Sequence, residues 1–144
     1  FVTRRWIGGT FTNATEIRRR VARHDELAAL LAGPEAQKYT KQERELLDKE
    51  RERLETTFEG ILDMRDLPAA VLLVDSRHEK NALAEAKKAG VPVVSISGTD
   101  SDLRDIRYPV VANDASRASV SFLLDQLVNA YNDGRKSGTT QEAA

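Results

Sequence analysis

The chain is 144 residues long, 40% hydrophobic and free of cysteine, with 22 Lys and Arg against 23 Asp and Glu for a formal net charge of −1. That length and apolar fraction suffice for one ordinary domain with a buried core, while the lack of thiols excludes disulfides, thiolate zinc sites and cysteine nucleophiles. No apolar run approaches the roughly 20 residues needed to span a bilayer and no signal-peptide core opens the chain, so a soluble intracellular protein is expected.

Phe1, Val2 and Thr3 read as the end of a β-strand with no initiator methionine, so the chain is expected to start inside a fold, with an upstream segment missing. The next stretch, "RRWIGGTFTN" at 4–13, crowds phosphate-binding chemistry into ten residues. Arg4 and Arg5 supply charge and Trp6 a flat ring, while Gly8 and Gly9 allow a sharp turn and close backbone approach. Thr10, Thr12 and Asn13 add neutral donors ahead of a helix N-terminus, an anion-binding arrangement. The stretch lacks the lysine and glycine spacing of a P-loop, so it suits backbone phosphates better than a nucleoside triphosphate.

Charge is distributed unevenly around this loop. Within residues 1–24, Arg4, Arg5, Arg18, Arg19, Arg20 and Arg23 stand against Glu16 alone, a net of +5. The rest of the chain holds 16 basic and 22 acidic groups, a net of −6. Arginine throughout favours two-pronged phosphate contacts, although a solvated helix face is the plainer reading of a charge run.

Thr12 or Asn13 can cap a helix with Glu16 as capping-box partner, and Ile17, Val21, Leu27 or Ala28, and Leu31 recur at helical spacing, which predicts a helix over 14–32. Gly33-Pro34 stops it. Thr40, with Glu43 three residues on, caps a second helix whose stripe is Leu46, Leu47, Leu54, Phe58, Ile61 and Leu62. Two such helices joined by a short loop read as an antiparallel hairpin, each arm roughly 28 Å long at 1.5 Å per residue. The narrow seam predicts a projecting arm over 14–59 that makes few contacts with the rest and whose deletion spares it.

From Leu67 the pattern becomes α/β. "AAVLLVDS", "VPVVSISGT" and "YPVVAND" read as parallel strands buried on both faces. "HEKNALAEAKKAG" is a helix with Ala82, Leu83, Ala86 and Ala89 inward. "SRASVSFLLDQLVNAY" is another, packed through Val120, Leu123, Leu124, Leu127 and Val128. The tail 132–144 is polar and expected to be disordered. The order of elements is that of a doubly wound parallel sheet. The expected organisation is a strand end and phosphate-binding loop over 1–13, the hairpin over 14–59, an α/β domain over 60–131, and the tail.

Catalytic motifs are weak. Asp75 ends a strand where a nucleotide-binding acid would sit, but no glycine-rich phosphate loop accompanies it, and a turn or helix-start role is favoured. His78 and Glu79 open a helix, where an acid complements the dipole. His24 lies on the charged arm, and with two histidines a metal site would rest on carboxylates alone. Asp100, Asp102 and Asp105 read as loop and cap residues. No G-x-S-x-G elbow occurs.

The chain resembles the bacterial small-subunit ribosomal protein S-two family. The family pattern R-W-[LI]-G-G-x-[LF]-T-N is matched by Arg5, Trp6, Ile7, Gly8, Gly9, Phe11, Thr12 and Asn13. The pattern G-I-x-D-M-x-x-L-P is matched by Gly60, Ile61, Asp63, Met64, Leu67 and Pro68. Asp75 matches the strand-ending aspartate, "EAKKAGVPV" the next element, and Asn113 and Asp114 the last loop. The resemblance covers about residues 1–131, with the family's N-terminal portion lacking. Departures are Arg65-Asp66, where the family has Gly-Gly, and the loop "GTDSDLRD", which lacks the family's proline.

The resemblance implies a flavodoxin-like, partial doubly wound sheet with a protruding antiparallel coiled-coil hairpin. It implies a non-catalytic structural constituent of the small ribosomal subunit, cytoplasmic, without cofactor, metal, membrane or small-molecule substrate. Its partners would be 16S-type rRNA, met at the back of the particle between head and body, and neighbouring small-subunit proteins. The candidate RNA contacts are Arg4, Arg5, Trp6, Gly8, Gly9, Thr10, Thr12, Asn13, Arg18, Arg19, Arg20 and Arg23, with Lys38 and Lys41. The competing reading is a small nucleotide-binding regulator or enzyme with a site near Asp75, Ser97 and Asn113.

Overall fold

Apolar residues at helical spacing build α1 (Ala14–Ala32) and α2 (Lys41–Phe58) in the computed structural model, which describes residues 1–141. Gly33 ends α1 in an extended conformation and a 3₁₀ turn, Pro34–Lys38, reverses the chain. Thr40 then opens α2 with a complete capping box. Its Oγ1 accepts from the Glu43 amide at 3.3 Å, and the Glu43 carboxylate accepts from the Thr40 amide at 2.8 Å. The box expected at the start of α1 does not form. Asn13 holds the cap position without a side-chain cap bond: the Glu16 amide donates to the Asn13 carbonyl at 3.1 Å, the Asn13 amide donates to the Gly9 carbonyl, and the Glu16 carboxylate pairs with Arg19 and Arg20.

Arg23 pairs with Glu50, Leu31 borders the same hollow as Lys41 and Arg44, and Val21 packs with Phe58, so the helices run antiparallel. At their open end Val21, Phe58 and Ile61 form a buried cluster, with Ile7, Leu54 and Met64 among the residues against it. Loop 1–13 and residues 60–64 thus supply part of the cover for the hairpin's base. The chain accordingly clusters into one unit over Phe1–Ala69 and another from Ala70 onward, and the divisions expected after residues 13 and 59 fall inside the first. The Phe1 to Thr3 strand end is corrected: these residues belong to no strand and are exposed, having no strand partner among the described residues.

The second unit has β1 (Val71–Val74), α3 (Lys80–Ala89), β2 (Val93–Ser97), β3 (Tyr108–Val111) and α4 (Arg117–Gln141). The strands form one parallel sheet in the order β1-β2-β3, with Val71 opposite Val93 and Val94 opposite Tyr108. The described residues make a mixed α/β protein with a small parallel sheet and four α-helices. The strand order runs one way, without the reversal that makes a sheet doubly wound, among the described residues. Ala82 and Ala86 seat α3 fully buried, and Gly90 closes it at φ 72°, a left-handed conformation that favours glycine.

Only the central strand is buried on both faces. Val93, Ser95, Ile96 and Ser97 are inaccessible, but Leu72 in β1 and Tyr108 and Val111 in β3, the outer strands, are exposed, because little of the described chain covers those side chains. Val128, expected inward, is half exposed at 51%. α4 also runs through Gln141, so residues 132–141 are helical where a disordered tail was expected. Local bonds support the extension: the Ser137 hydroxyl donates to the carbonyls of Asp133 and Gly134. The rest of that tail, 142–144, lies outside the described residues.

Candidate nucleic-acid interface

Gly9 adopts φ 95°, which turns the loop, and its carbonyl accepts from the Asn13 amide at 2.7 Å. Trp6 packs edge-on to Phe11 with ring centroids 4.9 Å apart, and the buried Phe11 ties the loop to its unit. Gly8, Thr12 and Asn13 are exposed ahead of α1, where their backbone and side chains can meet an anion. Thr10 is the exception. It is 1% exposed, and its hydroxyl donates to the Ile7 carbonyl at 2.7 Å, so it braces the turn and offers nothing to a phosphate.

The arginines divide by partner. Arg23 makes a two-pronged contact with Glu50 and lies 3.8 Å from Glu26. The Glu50 hydrogen bond holds the Arg23 guanidinium above its usual range, and the Arg23 hydrogen bond holds the Glu50 carboxyl below its own. Arg19 and Arg20 share Glu16 at 3.3 Å each, and Arg4 lies 3.4 Å from Glu59. Arg5 is exposed and Arg18 donates only to the Ala14 carbonyl, so neither has an acidic partner among the described residues. Arg5 lies on the loop and Arg18 to Arg20 on the first turns of α1, all of them exposed. Lys38, paired with Glu35, and the exposed Lys41 sit at the hairpin's other end, roughly 28 Å away by helix length, and do not join them.

The clustering of charge pointed to the arginines but not to what holds them. Glu16 is legible from its three- and four-residue spacing to Arg19 and Arg20. Glu50 and Glu59 are not, because they approach through the hairpin. Arg65 is a further basic residue: exposed and 3.6 Å from Asp25, it borders the same shallow cleft as Arg18, Ala14 and Met64.

The strand-end residues of the competing reading are each used by the fold. Burial pushes the Asp75 carboxyl up, but hydrogen bonds from His78 and the Arg77 amide outweigh it and leave the group below its ordinary value. Asp75 does so at φ 59°, as a turn residue. Ser97 is buried, with its hydroxyl 3.0 Å from that of Ser76 and 2.9 Å from that of Ser95. Asn113 accepts from the amides of Ala115 and Ser116 ahead of α4. Asp100 pairs with Arg77 and Asp105 with Lys87, while hydrogen bonds from Arg104 lower Asp102 to about 2. No cluster of three metal-ligating side chains occurs among the described residues, nor a helix long and apolar enough to cross a membrane.

A family model described as Ribosomal protein S2 matches residues 1–134. The chain is 41% identical to the small ribosomal subunit protein uS2 of Corynebacterium urealyticum, across all of the chain and 54% of that protein. It is 40% identical to the uS2 protein of Azorhizobium caulinodans, across 93% of the chain and 40% of the relative. For that of Rhodopirellula baltica the identity is 38%, across the whole chain and 55% of the relative. The chain spans about half the length of the curated relatives it matches.

Proposed function

The chain belongs to the ribosomal protein S2 family, and from that premise we propose that it is a non-catalytic structural constituent of the cytoplasmic small ribosomal subunit. It binds 16S-type rRNA at the back of the particle, between head and body, beside neighbouring small-subunit proteins. It needs no cofactor or small-molecule substrate. In this reading the sheet is part of a flavodoxin-like domain, and α1 with α2 is its protruding coiled-coil arm.

The observation that carries the RNA contact is the grouping of arginine on the first unit, with Arg5 and Arg18 lacking acidic partners among the described residues. Exposed ion pairs such as Arg19 and Arg20 with Glu16 contribute only about 0–1 kcal/mol, so these guanidiniums exchange readily to phosphates. Gly8, Gly9 and the start of α1 add backbone donors beside them. The one-way strand order and the engaged strand-end side chains weigh against a nucleotide crevice in the sheet.

The test is co-sedimentation of the chain with small ribosomal subunits of a relative depleted of their own uS2 protein. Binding should weaken steeply with salt, and Arg5→Ala with Arg18→Ala should weaken it further and flatten the log–log slope by about 0.7 for each phosphate that is no longer neutralised. Unaltered binding by the double variant would refute the assignment. Thermal stabilisation by a nucleotide, without co-sedimentation, would favour the regulator.

A further inference from the structure

We infer that Gly60 is a positioning residue for the arginine-bearing segment 1–5. The inference rests on the RNA contact proposed above. A Cβ on Gly60 would stand 2.4 Å from the Phe1 carbonyl oxygen, 2.7 Å from Val2 Cα and 2.9 Å from the Phe1 carbonyl carbon. All three are backbone atoms, so no change of rotamer relieves the overlap and the segment itself must move. Gly60 is not among the residues with positive φ, so space rather than backbone conformation calls for glycine there.

The seat is anchored on both sides. Gly60 lies in a 3₁₀ turn, Glu59–Ile61, between Phe58 and Ile61, and both of these belong to the buried cluster with Val21. Glu59 pairs with Arg4 at the surface, so charge adds a little to a hold that rests on fit. Val2 and Arg5 border the same cleft as Thr57 and Gly60. A segment lifted off this seat displaces Arg4 and Arg5 from where Glu59 and the cleft at Gly60 place them, and two-pronged phosphate contacts tolerate little displacement.

The experiment compares the unaltered chain with its variants in binding to small subunits depleted of their own uS2 protein. Gly60→Ala should bind about tenfold more weakly with a shallower salt slope, the loss expected for about one charged hydrogen bond. It should add nothing in an Arg4→Ala, Arg5→Ala background, since both routes remove the same contact. Amide exchange in α1 and α2 should stay as in the unaltered chain. Unchanged affinity and slope for Gly60→Ala, with the arginine double variant weakened, would overturn the inference alone. A double variant binding as tightly as the unaltered chain would remove the RNA contact from this segment, and the inference with it. Should Gly60→Ala fail to fold, Glu59→Gln carries the test by sign. If Glu59 holds Arg4 in place, affinity falls. If Glu59 is merely an acid beside phosphates, affinity rises, which would overturn the inference.

Discussion

The Arg23 guanidinium in α1 grips the Glu50 carboxylate in α2, with Nε 3.0 Å from one oxygen and Nη2 3.2 Å from the other. Contacts of this two-pronged kind fix the relative placement of two helices, and this one occupies an arginine that composition alone assigns to phosphate binding. We expect Arg23→Ala to destabilise the hairpin by about 0.5–1 kcal/mol in denaturant unfolding while leaving the salt slope of subunit binding nearly unchanged. Arg18→Ala should do the reverse. Equal effects on the slope would show that Arg23 also reaches phosphate.

The same pair sets an acid dependence. The Glu50 carboxyl is lowered from its ordinary 4.5, first by the hydrogen bond from Arg23. The unfolded chain therefore takes up a proton before the folded one does as pH falls. The stabilisation is complete above 4.5 and is lost as pH drops through the lower folded value. Helical signal followed on acidification should show a decline that is reduced in Glu50→Gln. Glu43 and Glu45, lowered by Thr40 and Lys49, act in the same direction and keep the decline from vanishing.

Thr10→Val tests the brace in the loop. Its hydroxyl is buried on the Ile7 carbonyl, so its removal should cost about 1 kcal/mol of stability. The salt slope of subunit binding should not change. A slope change without a stability change would mean that the hydroxyl meets phosphate instead.

The two helix starts should respond differently to loss of their cap residues. Thr40→Ala removes the hydroxyl half of the capping box, leaving the Thr40 amide on the Glu43 carboxylate, and should cost about 1 kcal/mol, read as lowered thermal stability. Asn13→Ala removes a side chain that makes no cap bond and should cost a small fraction of that. Equal costs would argue that the box contributes little.

Phe58→Ala probes the division of the chain. Phe58 is 7% exposed in the cluster with Val21 and Ile61, so truncation should cost about 3–5 kcal/mol. Amides of α1 and α2 should lose exchange protection while those of β1 and β2 keep theirs. Loss of protection throughout would show that the two units unfold together.

The sequence alone determined the features set by neighbours along the chain. Spacing of apolar residues and the Gly33 stop placed α1 at the bounds it has, and Thr40 with Glu43 predicted the capping box of α2. Short apolar runs placed three parallel strands, and the crowding of arginine marked the loop and α1 as one charged region. What only the tertiary structure decided depends on residues far apart in sequence. Glu50 reaches Arg23 across 27 positions because the turn at Pro34–Lys38 sets the hairpin's register. Ile7, Ile61 and Met64 widen a seam that looks thin when each helix is read by itself. Thr10 is hidden where composition would expose it, and β3 is exposed where its apolar run implies burial, since a strand's side chains are covered by what packs over the sheet's faces. Periodicity reports which face of an element is apolar. It does not report what stands against that face, because burial and ion pairing arise from contacts made only when separate segments meet.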